Sequence, residues 1–206
     1  MVKKKSFNKK AKKKLVITLS TILVLALLAY SIFYIISLFD YEYNGYDFSK
    51  RPDGLWSVPL MTVLGEESVM FYHHPRDLER FYFEDEILQQ FSVVRNNRGT
   101  VKIGIDESLL QSGRTAIAGV EISKVTGKVI GLETKSGSIQ PLDIEDVPTF
   151  NCDNASSNNF VVQFTTGDED KIFLEDDFCA TLEVTELTNL VKLANLFVYK
   201  IIGVME

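Results

Sequence analysis

Only two cysteines and two histidines occur in 206 residues, and each scarcity removes a class of chemistry. Cys152 and Cys179 have no CxxC neighbour, so a cysteine-based zinc site is excluded. Any Ser/His/Asp triad or His-rich metal site must use His73 or His74. No GxSxG, GxGxxG or GxxxxGK[ST] pattern occurs, which removes the usual hydrolase elbow, dinucleotide loop and phosphate loop. Internal repeats and low-complexity stretches are also lacking. No acidic residue precedes Asp40.

What the amino end does contain is basic and then apolar. Eight lysines fall within residues 1–14, and residues 15–39 form the uncharged run LVITLSTILVLALLAYSIFYIISLF. At about 1.5 Å per helical residue this run reaches roughly 37 Å, more than the ~30 Å hydrocarbon core of a bilayer. Lysine-rich flanks stay on the cytoplasmic side, so the sequence predicts a single-pass signal-anchor with residues 1–14 as a cytoplasmic tail and the remainder outside. A cleaved secretory signal ending near Ala29 and Ser31 is the rival, but it would leave IFYIISLF exposed at a new amino end. Lipid anchoring is weaker still, because residue 2 is valine and no cysteine precedes Cys152.

Composition shifts sharply at Asp40. Residues 40–206 carry 14 basic against 28 acidic groups, a balance that repels phosphate backbones and excludes a nucleic-acid partner. The implied partners are the lipid bilayer, through residues 15–39, and an envelope component or another membrane protein. Residues 40–54, with Tyr41, Tyr43 and Tyr46 and a turn at Pro52, Asp53 and Gly54, read as a juxtamembrane linker. Residues 55–206 suffice for one extracytoplasmic domain.

Within that domain, apolar segments over 57–64 and 68–72, separated by Gly65, Glu66 and Glu67, predict a hairpin, with Pro59 on an edge strand. Pro75, Asp77 and Glu79 suit the first turn of a helix continuing through Leu88 and Phe91. Residues 100–105 are β-branched and alternate, the mark of a strand. Ala118, Ile122, Val125 and Val129 predict a helix that lays one stripe on a sheet and is limited by Gly127 and Gly131. A loop then extends to about residue 150.

Three alternating runs, 160–165, 171–174 and 179–184, predict an antiparallel meander. The apolar segment 185–205 reads as a core helix capped by Thr185. Lys192, Asn195 and Lys200 argue against a second span, since a central lysine costs about 2.5 to 3.5 kcal/mol on insertion scales. The expected fold class is α+β, an N-terminal transmembrane helix followed by one ectodomain of antiparallel sheet with packed helices.

Outside the cell Cys152 and Cys179 are expected to form a disulfide, worth roughly 3 to 4 kcal/mol in the chain-entropy model, against the alternative of two buried thiols. Asn154-Ala155-Ser156 is a glycosylation acceptor. His73 and His74, with Asp77, Glu79 and Glu84 nearby, are metal or catalytic candidates, although neighbouring side chains on a strand point to opposite faces and a turn-capping role is simpler. Asp168, Glu169, Asp170, Glu175, Asp176 and Asp177 form an acid cluster that lacks EF-hand spacing and reads as a solvated turn. No cofactor is expected.

The lysine-rich anchor, the stretch Phe71-Tyr72-His73-His74-Pro75, Cys152-Asp153-Asn154-Ala155-Ser156, the later Cys179 and the ending Ile202-Gly203-Val204-Met205 together resemble uncharacterised single-pass membrane-anchored proteins predicted in small-genome archaea. The resemblance implies an archaeal envelope as the outer face and strengthens Asn154 as a glycan acceptor, but it implies no activity. Two function classes remain. One is a membrane-tethered extracytoplasmic interaction module of the cell envelope. The other is a membrane-anchored enzyme using carboxylates such as Asp106 and Glu107 as acid and base.

Overall fold

A computed structural model describes residues 9–39, 41–143 and 146–206. Lys3, Lys4 and Lys5 of the expected cytoplasmic tail, and Asp40, lie outside the described residues. The chain divides into two compact units, residues 1–42 and 43–206.

The first unit contains one helix, α1 (Lys9–Phe39). Its 31 residues contain no proline or glycine, and the stretch Lys14–Tyr34, with mean hydropathy 2.4 and no residue buried, is long and apolar enough to cross a membrane. Thr18, Ser20, Thr21 and Ser31 return their hydroxyls to carbonyls three or four residues earlier, which satisfies them without water.

The second unit is α+β and takes in residues that the linker reading left outside it. Phe48 is buried in the core, and Tyr43 and Tyr46 pack against that core. The strands β1 (Glu42–Tyr43) and β2 (Tyr46–Asp47) pair across a turn in which Asn44 and Gly45 both have positive φ, the residue pair such turns favour. Strand β3 (Ser49–Lys50) then opens an antiparallel sheet with β4 (Trp56–Thr62) and β5 (Gly65–Phe71). The hairpin is where the apolar runs place it, but its turn is Val63-Leu64 rather than the expected Gly65-Glu66-Glu67. The tip leaves Met61 at 72% and Leu64 at 82% exposure. Strand β4 is flanked by β3 only at Trp56 and Ser57, so Pro59 lies where its outer edge is free.

The second sheet has six strands: β6 (Tyr82–Phe83), β7 (Thr100–Ile105), β8 (Glu133–Ser138), β9 (Asn159–Thr166), β10 (Lys171–Asp176) and β11 (Cys179–Val184). Their order is β6-β10-β11-β9-β7-β8. Here the expectation of an antiparallel meander fails. Strands β10 and β11 form an antiparallel hairpin, but β11 inserts between β10 and β9 and runs parallel to β9, which is itself parallel to β7, as β7 is to β8. The sheet is therefore mixed. Alternation marked β7, β9, β10 and β11 but carries no information on which neighbour each selects.

Three helices, α2 (Glu86–Asn96), α3 (Gly113–Lys124) and α4 (Leu187–Ile201), cover one face of this sheet. Val101, Ile103, Phe160, Val162, Phe164, Ala180, Leu182 and Val184 point toward them, and Phe160 meets Phe91 of α2 and Phe197 of α4 ring to ring. Helix α4 is the central element, with ten of its 15 residues buried. Thr185 does not cap it. Glu186 occupies that position, while Thr185 donates its N–H and hydroxyl to Asp170 at 2.8 and 3.1 Å.

Two further expectations are corrected. The helix expected from Pro75 onward breaks into a 3₁₀ turn (Pro75–Asp77), the two-residue strand β6 and then α2, because the apolar residues over 78–83 are needed by the core rather than by one helical stripe. The loop expected after Gly131 contains β8, whose polar sequence ETKSGS conceals an edge strand. Helix α3 passes into a π-helical turn (Val125–Ile130) that ends at Gly131, where φ is +81°.

The sheet's other face is crossed by a strap formed by residues 148–152. It hydrogen-bonds to β8 through Ser138 N–H to the Pro148 carbonyl at 3.0 Å and Phe150 N–H to the Ser138 carbonyl at 2.7 Å. Glycine makes this approach possible: a Cβ on Gly104 would lie 2.0 Å from the Phe150 carbonyl oxygen, and one on Gly137 would lie 2.1 Å from that of Pro148. Gly104→Ala should therefore lift the strap and cost about 1 to 3 kcal/mol, read as a lower urea midpoint with an unchanged slope. An unchanged midpoint would show that the strap is not seated on β7.

Candidate functional site

The strap covers only part of the sheet's outer face. Across the remainder, register brings Gln163, Thr181 and Phe173 into one row over three strands, and Thr165, Glu183 and Lys171 into the next. Beyond them Asp106 follows the end of β7 and Ile139 the end of β8. All of these but Lys171, together with Leu174 and Glu175, line a groove of about 410 Å³ at the carboxyl ends of the parallel strands, the end at which open parallel sheets commonly hold ligands.

The groove is acidic. Asp106 uses Oδ1 to accept the Ser108 N–H and hydroxyl at 2.9 and 2.6 Å, which fixes the turn after β7. Glu175 accepts the Thr181 hydroxyl through Oε2 at 2.6 Å. Glu183 lies 3.5 Å from Lys171, which also reaches Glu169 at 3.1 Å. Both carboxylates favour the charged amine and raise the Lys171 pKa, Glu169 most. Gln163 is 5% exposed and lines the groove, and its side-chain amide makes no hydrogen bond among the described residues.

Asp106 was thus legible as a carboxylate after a strand, while Glu107 does not line the groove. Sequence reasoning missed Gln163, Thr181 and Glu183. One signal was available, since Gln163 interrupts the run Phe160-Val161-Val162 before Phe164. The acid cluster disperses: Asp170 holds the start of α4 by accepting from Thr185 and from Asn189 Nδ2 at 2.7 Å, Glu169 pairs with Lys171, and Glu175 enters the groove.

The two histidines take separate places. His74 is buried, accepts the Arg76 N–H through Nδ1 at 3.3 Å to cap the 3₁₀ turn, and packs among Trp56 and Phe48 with ring centroids 4.7 and 4.8 Å away. His73 follows the end of β5, with its N–H donated to Asn195 Oδ1 at 3.0 Å and its carbonyl accepting the Tyr199 hydroxyl at 2.9 Å. Asn195 passes the connection on, donating to Glu121 Oε2 at 2.7 Å, and Glu121 meets Lys124 at 2.6 Å. Lys124 also donates to the Met70 carbonyl and lies over the Phe71 ring. This buried network ties β5, α3 and α4 together. Burial, with Glu121 and Asp77 adding repulsion, raises the Tyr199 pKa well above its ordinary value. Among the described residues no three His, Cys, Asp or Glu side chains are grouped to hold a metal ion.

Burial lowers the His73 pKa from its ordinary 6.5, and Lys192 and Arg114 lower it further against the opposing pull of Asp77. The folded domain therefore binds fewer protons at this site than the unfolded chain does. Its stability contribution is full above about pH 6.5 and is lost as pH falls toward the folded value. Urea titrations at pH 7.5 and 5.5 should show a smaller acid loss for His73→Gln than for the wild type. An equal loss would remove His73 from the account.

Cys152 Sγ and Cys179 Sγ are at disulfide distance, 2.17 Å, with Cα atoms 5.4 Å apart. The bridge pins the far end of the strap to β11 beside the groove. Asn154 is exposed in the 3₁₀ turn Cys152–Asn154, its Oδ1 accepting the Asn151 N–H at 3.0 Å. Comparison with protein-family models, curated proteins and solved structures finds no match to this chain.

Proposed function

We propose that the chain is a single-pass, membrane-tethered binding module of the cell envelope, with its amino end cytoplasmic and residues 43–206 outside. The observation that carries the reading is the uncovered apolar stretch of α1, preceded by eight lysines and followed by an acidic domain. Cysteines at disulfide distance support an oxidising compartment. The likeness to anchored archaeal proteins supports an archaeal envelope, where Asn154 would carry a glycan. The half-open sheet face and the apolar hairpin tip at Met61, Val63 and Leu64 are surfaces of the kind that interactions use.

The catalytic reading has one observation in its favour, the presence of Asp106, Glu175 and Glu183 in one groove. Two of these would act as acid and base on a bound substrate, and replacing either of that pair would lower turnover by about 10²- to 10⁴-fold. Membrane attachment is tested by alkaline carbonate extraction of membranes holding the full chain. Retention in the pellet is expected, and release into the supernatant would overturn the tethered reading.

A further inference from the structure

We propose that the groove on the open sheet face binds an aliphatic di- or polyammonium group. The inference rests on the binding-module reading and names its ligand class. The groove is lined by three carboxylates, from Asp106, Glu175 and Glu183, and by no cation among the described residues, while Lys171 beside it on β10 is already engaged by Glu169 and Glu183.

Each carboxylate retains an oxygen that makes no hydrogen bond among the described residues: Oδ2 of Asp106, Oε1 of Glu175 and Oε2 of Glu183. Between them lies Gln163, 95% buried and lining the groove with its amide unpartnered. The buried side-chain atoms without a partner do not include this amide, so it opens into the groove, where its oxygen can accept from a donor that a ligand brings. Independently of the acids, then, the groove holds an acceptor that the fold itself leaves unused.

The ligand chemistry follows from these acceptors. An ammonium carries three donors and no acceptor, which matches carboxylates and an amide oxygen. The acids are distributed along the groove rather than gathered on one point, and no three of them are grouped for a single metal ion. A chain bearing two separated charges satisfies that layout. Ile139 and Phe173 give the hydrocarbon between the charges an apolar wall, much as lysine stems lie on apolar surface. Two sources share this chemistry, a free polyamine and the neighbouring lysines of a partner segment.

The experiment is calorimetric titration of the full chain in detergent, at physiological salt, with spermidine, with 1,4-butanediol, with magnesium ion and with a dilysine peptide. Saturable binding of spermidine or the dilysine peptide is expected, with none for the neutral diol and weaker binding of magnesium. Stronger binding of the peptide than of spermidine assigns the source to a partner protein, and the reverse assigns it to the free amine. Glu183→Gln and Gln163→Met should each weaken the preferred ligand by about tenfold, the loss of one charge-assisted or one neutral contact. Thermal unfolding of both variants establishes that the fold survives.

Absence of binding by either amine, magnesium binding as tightly, or affinity unchanged in both folded variants would overturn the proposal. Because the titration uses purified protein, its failure leaves the membrane placement untouched. Failure of carbonate extraction would likewise leave the ligand standing.

Discussion

Asn195→Leu should destabilise the domain by about 3 kcal/mol and lower its Tm by roughly 6 to 12 °C. Asn195 is fully buried and joins two elements, accepting from the His73 N–H and donating to Glu121. Leucine fills the same space but leaves the His73 N–H and one oxygen of Glu121 without partners. Glu121 is 3% exposed, so its carboxylate cannot turn to water. A buried charge that loses a partner costs more than the bond was worth. As a control, Thr188→Ala on the exposed side of α4 should move Tm by less than about 1.5 °C. Equal effects of the two substitutions would mean that the network contributes nothing specific.

Cys152→Ala/Cys179→Ala should cost about 3 to 4 kcal/mol, since the two residues are 27 apart in sequence and their bridge removes loop entropy from the unfolded chain. The loss should be confined to the oxidised protein: in reductant the wild type and the double variant should unfold together. The strap should also loosen. Residues 148–152 are held at one end by backbone bonds to β8 and at the other by Cys152, so amide exchange at Phe150 should rise more than exchange in α4. Identical unfolding midpoints in oxidising buffer would contradict a formed bridge.

How much of this was legible depends on the range over which each signal acts. The apolar length of residues 15–39, the hairpin of β4 and β5, the strand β7, the stripe of Ala118, Ile122 and Val125 and the buried C-terminal helix all rest on local periodicity, which burial on one face imposes directly. The cysteine pairing was legible because only one pairing exists. Strand order was not. Nothing in Cys179-Ala180-Thr181-Leu182 marks a strand that will run parallel to β9 instead of completing a meander. Strand β8 was hidden for a related reason: at the sheet's edge, with Gly137 cleared for the strap, its residues need not be apolar.

The groove was half legible. Asp106 stood out as a carboxylate after a strand, but its neighbours Glu175, Thr181 and Glu183 reach it only through the insertion of β11, a long-range event. Gln163 could have been flagged, since a lone amide in an apolar strand needs a partner from somewhere. The histidines misled in a simple way. Their rarity made them candidates, yet His74 serves the core and the 3₁₀ turn, while His73 serves the interior network mainly through its backbone.

Everything proposed for the function depends on residues 43–206 lying outside a membrane crossed by α1. Protease added to intact cells, followed by detection of the amino end, tests it most directly. Loss of the acidic domain and survival of a short fragment containing α1 are expected. Survival of the domain in intact cells, with digestion only after inverted vesicles are prepared, would contradict it.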